Sequence, residues 1–96
     1  MRESKIESWY VDELEMLGVE CLKLHKKGWP DRQCFGFNER TCFIEFKRTG
    51  VDVDDPHQVE RIRDLRRRGF QVFEINEKSR ALLKVILVCL GIQSGN

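Results

Sequence analysis

The sequence predicts an α/β fold, a mixed sheet of about four strands flanked by helices. Three observations predict it. At 96 residues the chain can enclose one hydrophobic core. Helical apolar stripes alternate with strand-like runs in the order α-β-β-β-α-β-α, the mixture that lays helices on the faces of a sheet. Apolar residues at 41% and charged residues at 34% suit a folded domain rather than a disordered one. One domain over residues 1–96 is expected.

Ser4 followed by Glu7 fits a capping box that opens a helix with Ile6, Trp9, Tyr10, Leu14 and Leu17 on its stripe. Gly18 is placed to end it. Val19–Leu24 reads as a strand and Lys26-Lys27-Gly28 as a turn. Asp31–Phe37 and Thr41–Lys47 read as two strands joined in a hairpin through Asn38-Glu39-Arg40. Asp55 before Pro56 marks the next helix start, with Val59, Ile62 and Leu65 as its buried stripe and Gly69 at its end. Phe70–Ile75 is a strand apolar on both faces. Asn76 is expected to cap a last helix running to about Leu90, and the tail Gln93–Asn96 to fray.

The net charge is +1, but its distribution is uneven. Six acids fall in the first twenty residues, whereas residues 61–68 hold five arginines against Asp64 alone. Such asymmetry suits a polyanion on one face. Cys21, Cys34, Cys42 and Cys89 show neither a CxxC pair nor zinc spacing with His25 or His57, so they read as reduced, small buried hydrophobes. The N-terminus MRESKIES is charged where a signal peptide is apolar, and the longest apolar run, Val85–Leu90, is too short to span a bilayer. A cytoplasmic protein with no membrane partner is expected.

The stretch richest in chemistry is Gly28-Trp29-Pro30-Asp31, followed by Glu45-Phe46-Lys47. Alternate strand residues share a face, so Glu45 and Lys47 project together and Phe43 with them. Asp31 opens the neighbouring strand, where its carboxylate can approach that of Glu45. Paired carboxylates repel unless a divalent cation resolves the conflict, and hard oxygen ligands suit Mg²⁺ or Mn²⁺. Lys47 beside them can stabilise charge growing on a phosphoryl group.

These residues resemble the PD-(D/E)xK nuclease superfamily, and more narrowly the short stand-alone VRR-type nuclease domains of phages and prophages. The resemblance rests on Lys5-Ile6-Glu7, Gly18-Val19-Glu20-Cys21-Leu22-Lys23, Gly28-Trp29-Pro30-Asp31-Arg32, Phe43-Ile44-Glu45-Phe46-Lys47, Gln58 and Gly69, in that order over about residues 4–75. It implies a restriction-endonuclease-like fold and a DNA endonuclease in a bacterial or phage setting, with water activated by Mg²⁺ or Mn²⁺ leaving a 5′-phosphate and a 3′-hydroxyl. It implies metal ligands at Glu7, Asp31, Glu45 and the Phe46 carbonyl, with catalytic parts for Glu7, Asp31, Glu45, Lys47 and Gln58. Branched or Holliday-type junctions are the refinement it suggests, cut by a homodimer.

Plainer readings stand beside these. Glu7 could be the acid of the Ser4 capping box, and Gln58, three residues after Asp55, could close another. A Glu-x-Lys in a strand is often a solvated face. Arg63, Arg66 and Arg67 form one basic strip, either solvated or placed for DNA phosphates. The rival function is a non-catalytic nucleic-acid-binding module that retains the nuclease fold, and a further rival is a small structural or regulatory protein. Between Ala81 and Leu90 only Lys84 is strongly polar, so the last helix carries more apolar surface than one sheet can cover. A homodimer through that C-terminal helix is expected.

Overall fold

The computed structural model describes residues 2–48 and 55–93. Helix α1 (Glu3–Met16) is followed by strands β1 (Glu20–Lys23), β2 (Arg32–Phe35) and β3 (Thr41–Phe46). Helix α2 (Pro56–Arg67), strand β4 (Gln71–Ile75) and helix α3 (Arg80–Cys89) complete the order. The sheet runs β1-β2-β3-β4, antiparallel through β3, and β4 lies parallel to β3. A parallel neighbour needs a crossover, which α2 supplies. The expected α/β class and element order are those observed, with strands one to three residues shorter than the expected runs.

Alternation along β3 sorts the core into two layers. Ile44 and Phe46 face Ile6, Tyr10 and Leu14 of α1 and Leu83, Ile86 and Leu87 of α3. Phe43 faces the opposite way, against Val72 of β4 and Ile62 and Leu65 of α2. Glu45 has the parity of Phe43, so its side chain belongs to the α2 layer. Register also aligns the thiols. Cys21 lies opposite Cys34 and Cys34 opposite Cys42, with the Cys21 and Cys34 sulfurs 3.7 Å apart. Cys89 of α3 reaches Cys42 through a hydrogen bond, and all four remain free thiols.

Local chemistry explains the junctions. Asp55 caps α2 by accepting from the His57 N–H at 2.9 Å, with Pro56 in the first turn as expected. Asn38 and Glu39 take left-handed conformations (φ 56 and 66) to close the β2–β3 turn, where Arg40 N–H donates to the Phe37 carbonyl. Two expected caps are corrected. Helix α1 begins at Glu3, with Arg2 at its cap position and no capping side chain. Ser4 is therefore inside the first turn, where its carbonyl accepts from Ser8, and Glu7 is free for other partners. At α3 the cap is Ser79 rather than Asn76, its hydroxyl accepting from Leu82 N–H at 3.1 Å. Tyr10 holds the intervening segment, donating to the Glu77 carbonyl and accepting from Ser79 N–H. Sequence spacing could not show this tertiary anchor.

The surplus apolar side of α3 is Val85 and Val88, 55% and 61% exposed, while Ile86 is fully buried. No helix among the described residues is long and apolar enough to cross a membrane. The frayed tail expected over Gln93–Asn96 lies, past Gln93, outside the described residues.

The C-terminus of α3 is pressed onto the β2–β3 turn. Phe37 N–H donates to the Leu90 carbonyl at 2.9 Å, and a Cβ at Gly36 would stand 2.1 Å from that same oxygen. Gly36→Ala must therefore push the helix end away, and it should cost about 1–3 kcal/mol, the usual range for overpacking. Urea unfolding measures this; a wild-type midpoint would show that α3 can withdraw freely.

Candidate active site

Asp31 stands just ahead of β2, after the fully buried Pro30, and Glu45 lies one residue from the end of β3. The two strands are neighbours, so both carboxyls reach the same end of the sheet. Phe46 N–H donates to Asp31 Oδ2 at 2.8 Å, which fixes the Asp31 side chain against β3. In extended backbone a residue's N–H and C=O leave on the same edge, so the Phe46 carbonyl also faces the Asp31 side. Glu45 lies within hydrogen-bonding reach of Asp31 and accepts a side-chain hydrogen bond from Gln58, two residues into α2.

Glu45 is the buried charged residue among those described, 8% exposed, and its Oε1 has no hydrogen-bond partner there. Burial and the neighbouring charge of Asp31 push its carboxyl up to about 8, against the pull of Gln58 and Lys47. An orphaned buried acceptor beside a second carboxylate is costly in an empty pocket and favourable around a cation.

Lys47, on the face of Glu45, extends to Glu74 of β4 with Nζ 3.3 Å from the carboxylate. Sequence reasoning missed Glu74, although its alternation with Val72 would have placed it beside Lys47. Glu7 is placed differently from the expected ligand set. It accepts from Arg32 Nε at 2.7 Å and stands 3.7 Å from Lys23 Nζ. Among the described residues no group of three histidines, cysteines or acids could hold a metal ion, and the partners Glu7 shows are Arg32 and Lys23. The expected basic strip is also occupied. Arg63 pairs with Glu60, Arg67 with Asp64, and Arg66 both donates to the Val72 carbonyl and pairs with Glu74.

Two carboxylates and one backbone carbonyl are a small donor set, but Mg²⁺ and Mn²⁺ sites commonly use one or two carboxylates and leave the remaining positions to water and phosphate. The residues present therefore fit such an ion, with Asp31, Glu45 and the Phe46 carbonyl as its holders.

No protein-family model matches the chain, and no curated protein matches it. Among solved structures, a VRR_NUC domain superposes with a TM-score of 0.72 at 24% identity, over 90% of this chain and 94% of that one. The likeness establishes the fold: a four-stranded mixed sheet flanked by helices, in the manner of that domain.

The raised Glu45 carboxyl has a measurable sign. It moves from an ordinary 4.5 to about 8 on folding. Between those values the folded protein keeps a proton that the unfolded chain has lost, so its contribution is complete below the lower value and disappears as pH rises to the upper one. Cation-free protein should therefore lose stability over that window, and Glu45→Gln should lose less. Urea midpoints in EDTA across the range decide it; an equal decline in Glu45→Gln would remove Glu45 as the cause.

Proposed function

We propose that this chain is a divalent-metal-dependent DNA endonuclease. The observation that carries the reading is the Asp31–Glu45 pair, with its unpartnered buried Oε1, at the end of a sheet built like that of a VRR_NUC domain. A bound divalent cation would supply Lewis acidity toward a phosphoryl oxygen and lower the pKa of water at neutral pH. The chain supplies the rest. Asp31, aimed by the Phe46 amide, and Glu45, aimed by Gln58, would hold that cation. Lys47, released from Glu74 or sharing it, donates to phosphoryl oxygens as their charge grows. Glu7 steadies Arg32 and Lys23 beside the Asp31 backbone, a positioning part in place of direct ligation.

Calorimetry should show Mg²⁺ or Mn²⁺ binding to the wild type that is severely weakened in Asp31→Ala and Glu45→Ala. Lys47→Ala should bind the cation and fold normally, yet cleave DNA slower by a factor on the order of 10², the cost of one transition-state donor. Cation binding that survives both carboxylate replacements sinks the reading. So does undiminished cleavage by Lys47→Ala for the part given to that residue.

The same proposal includes a two-fold assembly acting on branched DNA, since paired sites can address opposed strands. Its support is the outward side of α3, where Val85 and Val88 border a recess of about 580 Å³ shared with Phe70 and Phe73. Light scattering at micromolar concentration should give twice the 11.4 kDa chain mass. Val88→Glu should yield a folded monomer that still binds the cation and makes fewer paired incisions on a four-way junction. A monomeric wild type ends this part of the proposal.

A further inference from the structure

Between the Lys26–Trp29 turn and one flank of α2 lies an open cleft of about 580 Å³, lined by Lys26, Lys27, Trp29, His57, Arg61 and Arg67. Two of its residues lie close in the chain to the carboxylate site. Trp29 precedes Asp31 by two residues across the buried Pro30, and His57 is the neighbour of Gln58. The turn sits close on the helix start, since a methyl group at Gly28 (φ 84) would stand 3.7 Å from His57 Cβ. Trp29 forms the firm wall, its ring covered by the Arg61 guanidinium at 4.5 Å and tilted against Phe43 at 6.3 Å.

The charges of this cleft are not all committed. Its two acids are already matched: Glu60 pairs with Arg63, and Asp64 is shared among Arg61, Arg67 and Arg68. Lys26 and Lys27 are exposed and make no ion pair among the described residues. The opposite flank of α2 differs. Its hollow measures about 270 Å³, and the arginines there, Arg63 and Arg66, are tied to Glu60, Glu74 and the Val72 carbonyl. Uncommitted cations beside a site for phosphodiester chemistry attract a polyanion; cations already neutralised do so weakly.

We propose that the DNA backbone approaches Asp31 and Glu45 through the cleft beside the Lys26–Trp29 turn, with Lys26 and Lys27 each meeting a phosphate. This inference rests on the nuclease reading, but a different measurement decides it. A fluorescein-labelled duplex of about 30 base pairs, titrated with the protein in Ca²⁺ over a series of salt concentrations, reports the number of phosphates neutralised, since each contributes about 0.9 to the logarithmic slope. The double variant Lys26→Ala/Lys27→Ala should lower that slope by about 2 with an unchanged Tm, while Arg63→Ala should leave it near wild type. A wild-type slope in the double variant overturns the inference, as does a loss that falls on Arg63→Ala instead, or a wild type that binds no duplex. Failure of the nuclease reading would appear separately, as absent cleavage in Mg²⁺ and Mn²⁺ with the lysine-dependent slope intact.

Discussion

Burial of β3 on both faces is the constraint on which the rest of the molecule depends. From Cys42 to Phe46 every side chain is buried, and one of the five is a glutamate. The apolar members decide where the helices go: Ile44 and Phe46 draw α1 and α3 to one side, and Phe43 draws α2 to the other. Glu45 then lies beneath the start of α2, in a layer otherwise made of Phe43, Val72, Ile62 and Leu65. A carboxylate there needs company, and the fold brings it Gln58 and Asp31. The chemistry of the site is thus a consequence of the packing problem that β3 poses.

Helix α2 connects that problem to the surface. Its first turn delivers Gln58 to Glu45 because Asp55 and Pro56 determine where the helix begins. Its far side is bound to β4 through Arg66, which engages both the Val72 carbonyl and Glu74. Glu74 in turn meets Lys47. One short network therefore couples the crossover helix, the parallel strand and the lysine nearest the carboxylates. The arginine-rich segment owes much of its composition to this internal pairing.

Much of this was legible in the sequence because it depends on near neighbours. Period-two and helical patterns located all the elements, Asp55-Pro56 marked the start of α2, and Glu45 with Lys47 could be placed on one face. The pairing of Asp31 with Glu45 needed only a hairpin. Other features were hidden because they depend on residues far apart in the chain. Ser79 outcompetes Asn76 as a cap because Tyr10, in the first helix, holds the segment between them. Glu7 looks like a capping acid or a ligand until the sheet brings Arg32 to within 2.7 Å of it. Likewise, the basic strip of α2 could be counted from spacing, but not which arginines had already found acids.

The row of thiols has a practical consequence. Three cysteines from adjacent strands lie in register beneath α1 and α3, and the hydrogen bond to Cys34, together with burial, raises the Cys21 thiol. Alkylation proceeds through the thiolate, so in the closed molecule burial shields all three from reagent, and Cys21 and Cys34 are shielded a second time by their raised thiols. Cys89, half-buried at the end of α3, is the least protected of the four. The protein thus carries its own chemical clock. The rate at which a maleimide or iodoacetamide consumes the three inner cysteines reports how often the sheet parts from its helices, without any label added to the chain.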